Sequence, residues 1–181
     1  MLLWILIIAA SVLVDQITKL LAAGNMALYD SVTVIPHVFS FTYIHNYGAA
    51  WGLFSEHRWV FLILTGIALI VLPILLYRYR HLPFLFGFSL SLIIGGAIGN
   101  MIDRLFRGYV IDFLEFTFID FPVFNVADIC VTVGTILMFI YIVFLDKTFF
   151  ADKKSKPAPQ PEGEEAEPNA GDHEKNDTHS T

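Results

Sequence analysis

Cysteine is almost missing from this chain of 181 residues. The single copy, Cys130, lies inside an apolar run, which excludes a disulfide framework and a cysteine-rich metal site and leaves it the role of a small buried side chain. Charge is scarce too: 15% of residues are charged against 56% hydrophobic. The acids are concentrated from Asp152 onward, so most of the net charge of −6 comes from the tail and carries no signal for nucleic acid. Two catalytic signatures are also missing. His37, His45, His57 and His81 lack a ligand spacing such as HExxH, and no serine occupies a nucleophile-elbow motif. There is no internal repeat.

What the chain has in abundance is long apolar runs. Four stand out, Leu2 to Ala23, Trp59 to Tyr77, Phe84 to Ile102 and Val126 to Leu145, each of about 20 residues, and at ~1.5 Å rise per residue each helix would match a hydrocarbon layer of ~30 Å. With a mean hydropathy of +0.64, they predict an all-α membrane protein built as a bundle of four transmembrane helices. A cleaved signal peptide is the alternative for the first run, but it lacks a basic leading region and continues past Asp15 and Lys19. Arg78-Tyr79-Arg80-His81 follows the second run, and Lys147, Lys153, Lys154 and Lys156 follow the fourth. The positive-inside bias therefore puts both termini in the cytoplasm. Connections 24–58 and 103–125 then lie outside, although Arg58, Arg104 and Arg107 weaken the asymmetry. In the first, Ser31 to Ile35 and Val38 to Ile44 are β-prone runs separated by Pro36, and they predict a small extracytoplasmic β-rich cradle or flap. From Pro157 the composition turns to Pro, Glu, Gly, Asn and Asp, too polar to fold. The chain thus divides into a membrane domain, 1–150, and a disordered acidic cytoplasmic tail, 151–181.

Ionisable groups at membrane depth cost several kcal/mol and by default mark function. Asp15 and Lys19 share a helix face in the outer half of the first span, as an internal ion pair or as a substrate contact. Asn46-Tyr47-Gly48-Ala49-Ala50-Trp51-Gly52 joins interfacial aromatics, which suffice as membrane anchors, to an amide and glycines that suit a close backbone approach. Gly95 and Gly99 form a small-xxx-small packing pattern. Asn100 and Asp103 follow one turn apart, and Asp103 has Arg104 beside it as a salt-bridge partner. Asp112 lies among apolar residues with no adjacent cation, a setting that raises a carboxyl pKa. Asn125 caps the fourth helix and places Asp128 at its third position, near the positive dipole end. Together Asp112 and Asp128 form a carboxylate dyad, one acid activating water while the other protonates a carbonyl. Glu115 and Asp120 share the connection, so spacing alone leaves the partner of Asp128 open, and local apolarity favours Asp112. An ion-coupled transporter would need charges near mid-membrane and symmetry between halves, and a helical scaffold would leave the polar residues idle.

Asp15-Gln16-Ile17-Thr18-Lys19, the Asn46 to Gly52 block, Gly99-Asn100-Met101-Ile102-Asp103-Arg104 with Val110-Ile111-Asp112-Phe113, and Phe124-Asn125-Val126-Ala127-Asp128 carry a resemblance to lipoprotein signal peptidases, or signal peptidase II, over about residues 10 to 145. The resemblance implies a bacterial intramembrane aspartic endopeptidase of the cytoplasmic membrane that removes the signal peptide of prolipoproteins on the amino side of a diacylglyceryl-modified cysteine. It maps the catalytic pair onto Asp112 and Asp128, and the supporting positions onto Asp15, Lys19, Asn46, Gly48, Asn100, Asp103, Arg104 and Asn125. It also implies a β-cradle with a short amphipathic helix, an active site near the outer face, and inhibition by globomycin-type cyclic peptides. We expect a monomer among membrane lipids, with no cofactor or metal and no nucleic-acid partner.

Overall fold

The computed structural model describes residues 1–48, 58–81 and 83–145. Lipid offers no hydrogen-bond partner, so an apolar run in it must satisfy its own backbone, and helices result. They are α1 (Leu2–Asn25), α2 (Arg58–Arg78), α3 (Phe84–Phe106) and α4 (Val126–Ile140), the last continued by a π-helical turn, Tyr141–Leu145. All four are long and apolar enough to cross a membrane. The third run outlasts its expected end at Ile102, because Asp103 and Arg104 find partners inside the bundle and need not leave the helix. Gly108 then turns the chain with a φ of 83°, a left-handed conformation that glycine adopts without penalty.

The strands are β1 (Ser31–Ile35), β2 (Phe39–Asn46) and β3 (Val110–Phe116), antiparallel in that order. β1 and β2 fall where the β-prone runs predicted them. The third strand is a correction: the connection carrying Asp112 reads as a loop, yet Val110, Ile111, Phe113 and Phe116 are β-branched and aromatic residues that favour a strand, and its first four residues are buried. The sheet packs on the Asn25 end of α1, where Ala22, Tyr43, Ile111 and Phe113 form one buried cluster. A second core of Trp4, Leu76, Leu90 and Ile94 fills the other end. Residues 49–57, with Trp51, lie outside the described residues, as does the 151–181 tail.

α3 is the central helix and packs against α1, α2 and α4. Gly95 lies against Ser11 and Gly99 against Asp15 of α1, so the small-residue pattern is a close-packing device, as expected, and Gly96 lies against the Ala127 carbonyl of α4. A Cβ added at Gly96 would overlap the Ala127 carbonyl oxygen and crowd Val131, and a helix backbone has nowhere to yield. Gly96→Ala should therefore push α3 from α4 and destabilise the fold by about 1–3 kcal/mol, read as a lower midpoint of thermal unfolding in detergent. An unchanged midpoint would mean that the helices are packed more loosely than described.

Candidate active site

Asn125 begins α4 in extended conformation and caps it reciprocally: its side chain accepts from the Asp128 backbone N–H, and its own backbone N–H donates to Asp128 Oδ2 at 3.1 Å. This is the cap expected from the spacing, with Asp128 in the position usual for Glu. One carboxylate oxygen of Asp128 is thereby fixed to the helix start. The other, Oδ1, accepts from Asn100 Nδ2 at 2.8 Å.

Asp112 reaches the same place from β3, 1% exposed. Its Oδ1 accepts from Asn125 Nδ2 at 2.6 Å and its Oδ2 from Asn46 Nδ2 at 2.8 Å. The two aspartates thus meet across Asn125, which serves one through its side chain and the other through its backbone. Both line a cavity of about 290 Å³ with Asn46, Gly48, Asn100 and Arg104. Burial pushes the Asp112 carboxyl up to about 7, the negative charge of Asp128 adds to the rise, and the bonds from Asn46 and Asn125 oppose it. Of the acids in that connection, Glu115 instead accepts from the Thr42 hydroxyl on the sheet, and Asp120 is exposed.

Beneath the cavity lies a second layer, fully buried. Lys19 Nζ lies 2.9 Å from Asp15 Oδ2, 2.9 Å from Asp103 Oδ2 and 2.8 Å from Asn100 Oδ1. An ammonium has three donors, and each has a partner. The Asp15–Lys19 pair is therefore internal and touches the cavity only through Asn100. Lysine can only donate, so it turns the Asn100 oxygen inward and leaves the Asn100 amide group for Asp128. Asp15 Oδ1 accepts from the Ala127 N–H at 2.9 Å and ties α1 to the first turn of α4.

Arg104 does not pair with Asp103, because successive helical residues point apart while those four apart are neighbours. The partner on that helix is Arg107, which bonds Asp103 Oδ1. Arg104 instead faces the cavity, its guanidinium 5.2 Å from the Phe61 ring centroid, 3.4 Å from the Asn100 carbonyl oxygen and 3.5 Å from that of Gly48. Arg107 and Gln16, both partly exposed, border this buried layer and were not expected there from the sequence. Gln16 Nε2 donates to Asp15, to the Gly99 carbonyl and to Asp103. The four-residue interval from Asp103 to Arg107 was the signal available. Cys130 is half-buried, a little more open than expected.

Comparison with known proteins gives this arrangement its relatives. The family model described as signal peptidase (SPase) II matches residues 7–144. The lipoprotein signal peptidase of Symbiobacterium thermophilum is 46% identical over 149 residues, covering 79% of this chain and 95% of its own. That of Lactococcus lactis subsp. lactis is 45% identical over 142 residues, covering 78% of this chain and 94% of its own. Among solved structures, a bacterial membrane enzyme determined by the in meso method at 2.3 Å superposes with a TM-score of 0.72 at 38% identity, covering 87% of this chain and 94% of that one. With the matched stretch running from α1 through α4 and containing every residue of both polar layers, the chain belongs to the signal peptidase II family, a family of membrane peptidases.

Proposed function

We propose that this protein removes the signal peptide from diacylglyceryl-modified prolipoproteins, cutting on the amino side of the lipidated cysteine, with Asp112 and Asp128 as a general acid/base pair and water as nucleophile. The observation that carries the reading is the meeting of two carboxyls in one cavity, Asp112 buried and Asp128 half-buried, each with amide donors and neither in an ion pair among the described residues. Such a pair keeps one proton between its members.

Hydrolysis then runs in two steps, each with two proton transfers. In the first, the ionised carboxylate takes a proton from water as its oxygen attacks the scissile carbonyl, and the protonated partner gives its proton to the carbonyl oxygen. In the second, the tetrahedral diol collapses, the C–N bond breaks, and the amine leaves with the proton first taken from water, while the other carboxylate recovers its own from the diol. Arg104, Asn46 and the Gly48 carbonyl at the rim hold the peptide backbone across the pair. An apolar groove lined by Phe39, Leu114, Phe116, Phe124 and Ile129 runs up to Asp128, a fitting track for a substrate tethered to lipid. The anchor supplies part of the positioning, since a tethered peptide meets the dyad as an intramolecular partner. The basic residues after α2 and α4 favour cytoplasmic termini, which puts sheet and cavity at the outer face. The protein works as a monomer without a cofactor, and globomycin-type cyclic peptides compete for the cavity.

The test is incubation of purified protein with a diacylglyceryl-modified precursor and its unlipidated twin, each with and without globomycin. Cleavage of the lipidated form alone, blocked by the drug, is expected; equal cleavage of both overturns the substrate assignment. The same assay carries a pH prediction. Asp112 holds its proton up to about 7, so below that value the pair has its acid, and above it both members are ionised. The rate should fall as pH rises through about 7, and a rate that keeps climbing would exclude Asp112 as the acid.

A further inference from the structure

On the β2–β3 ladder Phe41 faces Leu114 and Ile44 faces Asp112, so β2 advances three residues while β3 advances two. This irregularity decides where Asn46 points. Side chains alternate along a strand, and a register one residue shorter would turn Asn46 to the face away from Asp112. The extra residue is what allows the 2.8 Å bond from Asn46 to Asp112.

On the opposite face of β2, next to the irregularity, lies a group that the proposed chemistry does not use. The Tyr43 hydroxyl is 2.8 Å from His45 Nε2, and Tyr43 is buried against Ala22, Ile111 and Phe113. The His45 ring stacks on Tyr109 with centroids 3.7 Å apart and planes 19° from parallel. Tyr109 directly follows Gly108, the turn from which β3 starts. His45 therefore joins a residue fixed in the core to the first residues of β3.

We propose that His45 is a positioning residue: held by Tyr43 and stacked on Tyr109, it locks the β2–β3 irregularity in the register that aims Asn46 at Asp112. It touches no substrate and acts through Asn46 alone. Burial lowers the pKa of the imidazole and disfavours its charged form, and its Nε2 shares a hydrogen bond with the Tyr43 hydroxyl.

The inference rests on the proposed function for its kinetic readout. In the lipidated-precursor assay, His45→Ala should lower kcat about 10-fold, the worth of one hydrogen bond to a charged group, with KM changed less than about two-fold. His45→Gln, which keeps an acceptor for Tyr43, should recover part of that loss. In an Asn46→Ala background, His45→Ala should cost nothing further, because the group it positions is gone. A full additional loss there, an unchanged kcat in His45→Ala, or a loss confined to KM would each overturn the proposal. If the wild-type protein leaves the precursor intact, the functional reading fails, and the inference is decided separately by the Asn46 side-chain amide resonances. These move upfield in His45→Ala if the bond to Asp112 is lost, and stay in place if His45 has no such role.

Discussion

Asp112→Asn and Asp128→Asn should each reduce cleavage of a lipidated precursor by about 10,000-fold, because each removes one of two coupled proton transfers and a general acid or base contributes up to that factor. The two variants should nevertheless part company in stability, which separates a chemical loss from a folding one. Burial raises the Asp112 carboxyl from 3.8 to about 7, so the folded state binds this proton more tightly than the unfolded state. The sign follows. Between those values stability falls as pH rises, and above about 7 the fold carries the full cost of a buried anion, about 4 kcal/mol at 1.36 kcal/mol per pKa unit. Asparagine removes that charge and forfeits one acceptor, since its amide must face either Asn46 or Asn125, at about 1–3 kcal/mol. Asn46 can turn over to receive it by giving up its bond from the Gly48 N–H. Asp112→Asn should therefore unfold at a higher temperature than wild type at pH 8, and the gap should close toward pH 5. Asp128→Asn also removes a partly buried charge, but it breaks half of the capping box, and Asn100, pinned by Lys19, cannot turn over to meet the new amide. Its midpoint should be equal or lower. Near-full activity in either variant, or a midpoint in Asp112→Asn that is insensitive to pH, would break the link between burial and chemistry.

The parts of this site that were legible in the sequence are those with a local signature. Four apolar runs give the spans, and Asn125 three residues before Asp128 gives both the cap and the place of one acid. The β-prone runs around Pro36 give two strands of the sheet. What stayed hidden is set by contacts between distant segments. The strand carrying Asp112 has β-branched and aromatic residues as a local cue, but its place in the sheet is set by pairing with β2, about 70 residues earlier. Asp103 reads as the partner of Arg104 when adjacency is counted, and as the partner of Arg107 and Lys19 once the helix is known to run on to Phe106. The register irregularity that turns Asn46 inward leaves no mark in the composition at all, because its cause is a fit between two strands and the stack behind them.

Lys19→Met should be the most destabilising single change in the second layer, and it should disable the first layer as well. Methionine matches the length of lysine and fills its space, so packing is nearly kept and the effect isolates the charge. Asp15 and Asp103 then share only Arg107 as a counter-charge, and one carboxylate is left buried and uncompensated. Removing one partner from a buried ionic cluster costs about 3–5 kcal/mol, which should show as a large fall in the unfolding midpoint in detergent. Activity should fall further than stability explains. Without the ammonium, the Asn100 oxygen is held only by the longer 3.1 Å bond from Asn125 Nδ2, a group that also serves Asp112, so the amide turns over more readily and withdraws its donor from Asp128. Adding Asp15→Asn restores charge balance in the buried layer while its oxygen can still accept from the Ala127 N–H. The double variant Lys19→Met with Asp15→Asn should therefore recover much of the lost midpoint and little of the lost rate. Recovery of both together would mean that Lys19 serves folding alone, and a midpoint that never fell would mean that the four charges beneath the cavity do not depend on one another.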